Sequence, residues 1–319
     1  MSIAVLGAGA FGTALAICLA QKGSVFLWGR DKAEVAALHQ ERKTRRLDGV
    51  LLPEAVEVTS EIAVACAANI LLLAIPAQQL PAFARSHAAH LARRDLVACC
   101  KGLNLDTGEG PTAILGHHIE GTDSAILTGP SFAADMARGL PTALTLACVD
   151  GDLAKNVQDF LSTDTLRVYR STDPLGAELG GALKNVVAIA CGTAIGLGLG
   201  ESARAAVMTR GFAEMNRLGD AVGARRETLA GLAGLGDLTL TCTSDMSRNY
   251  RFGLSLGRQV EFDSSLTVEG KATAEAVEAL AVRLGLDLPV MRAVAKIGRG
   301  DMSATEAMDL LLRRPLRAE

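Results

Sequence analysis

Through its first half the chain alternates short apolar runs with longer stretches whose apolar residues recur every three or four positions. Residues 2–6, 25–28, 56–58, 70–75, 96–99, 125–127, 143–149 and 167–169 predict strands, and 13–22, 60–67, 78–91 and 154–161 predict helices between several of them. The run from Ile70 to Ile75 is apolar throughout, as a strand covered on both faces by helices requires. The alternation predicts a doubly wound α/β domain of Rossmann type over residues 1–172.

The pattern changes at Thr172-Asp173-Pro174. Asp173 suits an N-cap and Pro174 the first helical position. Beyond them β-like alternation fades, and helix periodicity marks 203–221, 227–232, 269–284, 290–297 and 303–312. The last of these opens with the capping box Ser303-Ala-Thr-Glu306. Residues 173–319 therefore predict an all-α domain. Residues 185–200 of its opening segment are uncharged and glycine-laden. They are too few for a membrane span and predict a buried core helix. Lys184 stands at the edge of that run.

Three glycines, Gly7, Gly9 and Gly12, follow the first predicted strand and precede the first predicted helix. In that βαβ frame G-x-G-x-x-G provides a tight turn and a close backbone approach to a pyrophosphate at the helix N-terminus. The second strand ends at Trp28, followed by Gly29, Arg30 and Asp31. A carboxylate at that point takes the ribose 2′-hydroxyl of NAD, whereas an arginine pairs with the 2′-phosphate of NADP. Gly29 leaves space and Arg30 can reach a phosphate, which favours NADP over NAD. Asp31 has two other uses, as the N-cap of the next helix or as a ribose ligand.

Ligands of open α/β sheets bind beyond the carboxyl ends of the strands. Lys101 follows the fifth predicted strand, and Gly129, Ser131 and Ala133 follow the sixth. Ser131 also suits a turn or a cap, and Lys101 a surface charge. The helical half offers three polar clusters: Lys184 with Asn185, Asp237 with Thr241 four residues on along one helical face, and Ser247-Arg248-Asn249. Apolar surroundings disfavour a lysine's charged form and bring it toward proton transfer, although a snorkelling stem fits the same pattern. A forked arginine with neutral donors suits a phosphate. The structural alternatives are a helix cap for Asp237, an ion pair for Arg248 and a turn for Asn249.

Composition narrows the classes. The net charge of −3 offers no field for nucleic acid. The basic run 42–46 lacks interleaved aromatics and predicts a solvated loop. Seven scattered cysteines without ligand spacing predict reduced, buried thiols of a cytoplasmic protein. The five histidines (39, 87, 90, 117 and 118) lack companion ligands, so no metal site is expected. The first residues enter a strand-like run with no basic stretch before it, so no signal peptide is expected.

The chain resembles the bacterial NAD(P)-dependent glycerol-3-phosphate dehydrogenases. The likeness lies in GAGAFGTALA at 7–16, KGL at 101–103, LTGPSFA at 127–133 and GALKNVVAIACG at 181–192. It continues through RAAVMTRGFAEM at 204–215, AGLAGLGDLTLTCTSDMSRNYRFG at 230–253 and VEGKATA at 268–274. The resemblance implies a helical domain like that of 6-phosphogluconate dehydrogenase and reversible reduction of dihydroxyacetone phosphate to sn-glycerol 3-phosphate, feeding glycerophospholipid synthesis. It implies Lys184 as the catalytic lysine, aided by Lys101 and aimed by Asp237 and Thr241. Lys101, Gly129, Ser131, Lys184, Asn185, Asp237, Ser247, Arg248 and Asn249 would contact substrate. The Gly7–Gly12 turn with Ala10 and Phe11, and Arg30, Lys101, Ala133, Arg248, Thr267 and Glu269, would meet NADP or NAD. The chain departs from the family pattern at Gly200-Glu201-Ser202 and in the short basic loop 42–53. Apolar helical faces permit a homodimer. Two other readings stay open: a dehydrogenase of the same plan acting on a larger sugar acid or acyl substrate, and a redox-sensing dinucleotide binder without turnover.

Overall fold

β-Branched and leucine-rich runs pair into one eight-stranded sheet in the computed structural model, which describes residues 2–105, 107–264 and 266–312. The strands are β1 (Ile3–Leu6), β2 (Val25–Trp28), β3 (Val56–Thr59), β4 (Ile70–Leu73), β5 (Asp95–Ala98), β6 (Ser124–Thr128), β7 (Thr142–Ala147) and β8 (Leu166–Ser171). Their order is β3-β2-β1-β4-β5-β6-β7-β8, with every pair parallel except β6 and β7. β1 lies where the order reverses, with Leu6 in register with Trp28 on one side and Leu73 on the other. Its carboxyl end is thus the switch point at which such sheets bind dinucleotides.

The helices of this half are α1 (Ala10–Leu19), α2 (Lys32–Glu41), α3 (Ile62–Ala65), α4 (Leu80–Leu91), α5 (Pro111–His118), α6 (Ala133–Ala137) and α7 (Gly151–Leu161). Leu15, Cys18 and Leu19 of α1, Met136 of α6 and Val157 and Leu161 of α7 share a core with alternate strand residues Val5, Leu27, Leu72, Val97, Leu127 and Leu144. The intervening residues Ala4, Leu6, Leu71, Leu73 and Ile126 point to the other face and are equally buried. Both faces are covered, which accounts for strands without polar alternation.

The second half continues as α8 (Pro174–Gly196), α9 (Gly200–Val222), α10 (Arg226–Ala230), α11 (Asp237–Cys242), α12 (Arg248–Arg258), α13 (Glu269–Leu284), α14 (Pro289–Arg299) and α15 (Ala304–Leu312). A π-helical turn, Leu232–Gly236, leads into α11. The chain forms two compact units, Met1–Asn104 with Glu109–Glu178, and Leu105–Gly108 with Leu179–Glu319. α8 has the length and apolarity of a membrane span, but 89% of its most apolar window is buried within the protein. The core helix expected from the uncharged run is therefore observed.

Several boundaries differ from the sequence reading. β4 stops at Leu73 and β7 at Ala147, short of the expected Ile75 and Val149. The helix expected over 60–67 contracts to α3, because tight turns through Ala68 lead straight into β4. α6 and α12 were not expected at all. α12 contains Gly253 and Gly257, which disfavour an isolated helix. They become legible only against α8. A Cβ at Gly253 would lie 2.1 Å from the Ile189 carbonyl oxygen, and one at Gly192 would lie 2.1 Å from that of Tyr250. The two helices approach each other backbone to backbone.

Candidate active site

The glycine turn is closely packed at two of its three glycines and open at the third. Gly7 has φ +125°, and a Cβ there would stand 2.4 Å from the Ala74 carbonyl oxygen. A Cβ on Gly12 would stand 2.0 Å from the Gly7 carbonyl oxygen, so α1 sits directly against the turn. Gly9, the N-cap of α1, is different. Nothing lies within 4 Å of a Cβ placed there, and no side chain caps the helix. Open space thus faces uncapped first-turn N–H groups, which fits a pyrophosphate. Ala10 and Phe11 form the first turn of α1.

At the end of β2 one expectation is corrected and one open choice is decided. Gly29 does not leave room for a ligand, since a Cβ there would meet Val35 Cγ2 at 2.7 Å. It is required by the packing of α2. Asp31 caps α2, its Oδ1 accepting from the backbone N–H groups of Ala33 at 2.8 Å and Glu34 at 3.0 Å. Arg30 is exposed beside it. The basic loop 42–46 is tied locally: Arg42 donates to the carbonyls of Pro53 and Val56, and Arg46 pairs with Glu34.

Beyond β5 and β6 the chain brings Lys101, Gly129 and Ser131 together. Lys101 Nζ donates to the Gly129 carbonyl at 3.0 Å, and Ser131 Oγ donates to the same oxygen at 3.1 Å. Gly129 has φ +139° and approaches Leu144, so the turn demands glycine. Ser131 is not a helix cap; Phe132 occupies the N-cap of α6, and Ala133 is its first residue.

In the helical half, Lys184 is 6% exposed and Asp237 1%. Lys184 Nζ donates to Asp237 Oδ1 at 2.7 Å and to Thr241 Oγ1 at 2.8 Å, and Thr241 Oγ1 donates to Asp237 Oδ1 at 3.3 Å. The lysine therefore neither snorkels to water nor faces apolar groups alone; a buried carboxylate answers its charge. The π turn delivers Asp237 to this place, held against α8 where a Cβ on Gly180 would lie 2.4 Å from the Ala233 carbonyl oxygen. Asp237 is thus a counter-ion and not a cap.

Asn185 and Asn249 are both buried and meet the start of α13. Asn249 Oδ1 accepts from the Gly270 N–H at 2.9 Å, and a Cβ at Gly270 would stand 2.6 Å from the Asn185 carbonyl oxygen. Glu269 opens α13 and Thr267 lies exposed just before it. Ser247 is the N-cap of α12, its Oγ accepting from the Tyr250 N–H at 3.2 Å. Arg248 is the exposed first residue of that helix, and among the described residues its guanidinium has no ion-pair partner. Gly200-Glu201-Ser202 forms the first turn of α9, where Glu201 pairs with Arg204.

The thiols lie within the fold. All seven are buried, and none is in a disulfide. Burial pushes Cys18 and Cys66 up to about 11 and lifts Cys99 and Cys242 well above the ordinary range. Cys242 neighbours Thr241, yet only a thiolate would react.

Comparison with known proteins decides the family. The sequence profile of the NAD-dependent glycerol-3-phosphate dehydrogenase N-terminus matches residues 2–154, and that of its C-terminus matches residues 173–309. The chain belongs to this family. The glycerol-3-phosphate dehydrogenase [NAD(P)+] of Ruegeria sp. (strain TM1040) is 56% identical over 320 residues, covering all of both chains. That of Paracoccus denitrificans (strain Pd 1222) is 56% identical over 319 residues, again at full coverage. The crystal structure of glycerol-3-phosphate dehydrogenase from Coxiella burnetii superposes with a TM-score of 0.93 at 35% identity, over 98% of this chain and 99% of that one. As a glycerol-3-phosphate dehydrogenase family member, the chain is an NAD(P)-dependent oxidoreductase with a Rossmann-type domain and a helical domain. One residue escaped the sequence reading: Glu178, six residues before Lys184 on α8, which is buried and hydrogen-bonded.

Proposed function

We propose that this chain reduces dihydroxyacetone phosphate to sn-glycerol 3-phosphate, reversibly and with NADP preferred over NAD. The buried Lys184–Asp237–Thr241 cluster carries the reading, in a chain whose full-length relatives are named for that reaction. A nicotinamide cofactor, when bound, would supply a hydride for the ketone carbon. As that carbon is reduced, charge grows on the ketone oxygen. Lys184 hydrogen-bonds this oxygen and gives it a proton, and in the reverse direction the neutral amine takes the proton from the alcohol. Asp237 and Thr241 hold the long lysine stem to one geometry, which spares the reaction an orientational cost.

Arg248 would hold the substrate phosphate as a fork. Asn249 would donate from Nδ2, because its Oδ1 is committed to Gly270. Lys101, Gly129, Ser131, Asn185 and Ser247 are assigned further substrate contacts. Ala10, Phe11, Arg30, Lys101, Ala133, Arg248, Thr267 and Glu269 are assigned to the cofactor. NADP preference is supported by Asp31, whose carboxylate is engaged as a cap, and by the exposed Arg30 next to it. Buried cysteines without disulfides support a cytoplasmic setting, and the product would enter glycerophospholipid synthesis.

The test is loss of nicotinamide absorbance when purified protein, NADPH and dihydroxyacetone phosphate are mixed. Turnover is expected, slower with NADH and nearly abolished with unphosphorylated dihydroxyacetone. Tight NADPH binding without absorbance loss would replace this reading with a sensor. Equal activity on phosphate-free acids would replace it with another dehydrogenase of the same plan.

A further inference from the structure

Glu178 is 5% exposed, and its role is not explained by the reaction chemistry. Its Oε1 accepts from the Thr112 N–H at 2.7 Å, in the first turn of the eight-residue helix α5. A Cβ on Gly110 would stand 2.0 Å from Glu178 Oε2, so the chain there is glycine because the carboxylate fills the space. Gly110 has extended backbone, φ −79° and ψ 165°, which an alanine adopts without strain. Asp173, which precedes α8, also acts on Glu178 as a like charge, and its Oδ1 accepts from the Gly176 N–H at 2.9 Å.

The lock reaches further along the chain. Immediately before Gly110, the Glu109 carbonyl accepts from the Asn104 N–H at 2.8 Å and closes the neck of a loop. Leu103 is pinned in turn, its carbonyl accepting from Gln78 Nε2 at 2.8 Å. Two residues earlier stands Lys101, held on the Gly129 carbonyl. Two hydrogen bonds and the backbone between them thus link Glu178 through Thr112, Glu109 and Asn104 to the Lys101 segment.

We infer that Glu178 is a positioning residue: its carboxylate anchors the Lys101–Thr112 segment to the helix that bears Lys184, and so sets the place of Lys101. The inference rests on the proposed role of Lys101 in substrate binding. Burial lifts the Glu178 carboxyl from 4.5 to about 7, the signature of a carboxylate held in place for its contacts at a cost in solvation.

Three variants test it: Glu178→Ala, which removes the acceptor; Gly110→Ala, which evicts the carboxylate from the opposite side; and the two combined. Amide hydrogen exchange is read over residues 103–112 and over β5 as a control, with kcat and KM for dihydroxyacetone phosphate alongside. Each single variant is expected to speed exchange in 103–112 at least tenfold while β5 stays protected. KM should rise about tenfold, the loss of one charge-assisted hydrogen bond, with kcat changed less. The double variant should be no worse than either single, because both break one contact. Unchanged exchange and KM in both singles would overturn the inference, as would additive effects with equal loosening of β5. If Glu178→Ala does not fold, Gly110→Ala alone decides the matter. If wild type does not turn over dihydroxyacetone phosphate, the reaction assigned above fails while exchange still judges the anchor.

Discussion

Removing the buried ion pair as a unit should separate the stability of the helical half from its chemistry. Asp237→Ala strands the Lys184 ammonium, whose side chain is 7% exposed, without its counter-ion at 2.7 Å. Breaking a buried pair in this way costs about 3–5 kcal/mol. At about 2–4 °C per kcal/mol for a unit of this size, the melting temperature should fall by roughly 6–20 °C. Replacing Lys184 by Met, Asp237 by Leu and Thr241 by Val removes both charges and the hydroxyl that bridges them. Lys184→Met nearly conserves volume, the other two changes add bulk, and the hydrogen bonds that join the three side chains are removed together. Apolar replacement of a complete buried pair is commonly neutral or stabilising by about 1–4 kcal/mol. The triple variant should therefore melt at or above the wild-type temperature by circular dichroism while showing no reduction of dihydroxyacetone phosphate. If it loses as much stability as Asp237→Ala, the cluster is a structural brace and the argument for a catalytic role collapses.

Arg30→Ala should weaken NADPH about ten- to a hundredfold, the worth of one charge-assisted contact, and leave NADH nearly unchanged; fluorescence titration of both cofactors checks this. Gly192→Ala places a methyl 2.1 Å from the Tyr250 carbonyl and should cost about 1–3 kcal/mol or more. Gly116→Ala, in α5 with open space around it, should be neutral or stabilising by up to about 1 kcal/mol, and thermal melts compare the two. The raised Glu178 group binds its proton more tightly folded than unfolded, so its contribution to stability is complete below about pH 4.5 and lost as pH rises through about 7. Across that window wild type should lose up to about 3 kcal/mol relative to Glu178→Gln, and the difference should be flat above it, as urea titrations at several pH values will show.

The alternating half was legible because local pattern and tertiary burial agree there: residues 70–75 predict a two-faced strand, and β4 is one. The glycine turn was legible for the same reason, since its conformation is local. What escaped depended on partners distant in sequence. α12 looks like loop material until Gly253 meets Ile189, 64 positions earlier in the chain. Gly29 reads as space for a ligand until Val35 is seen to fill it. Lys184 and Asp237 were each singled out and linked through the family resemblance, but 53 residues separate them, and the fold shows the contact as a buried ion pair. Glu178 carries no sequence signal apart from its place on an apolar helix; its meaning lies in Gly110 and Thr112.

The central claim is that Lys184 moves the proton. The most direct measurement is steady-state reduction of dihydroxyacetone phosphate by Lys184→Ala, with NADPH affinity determined on the same protein. A positioned acid–base group is worth about 10²–10⁴ in rate, so turnover should fall by that factor while NADPH binds as tightly as in wild type. Wild-type turnover in the variant would contradict the account.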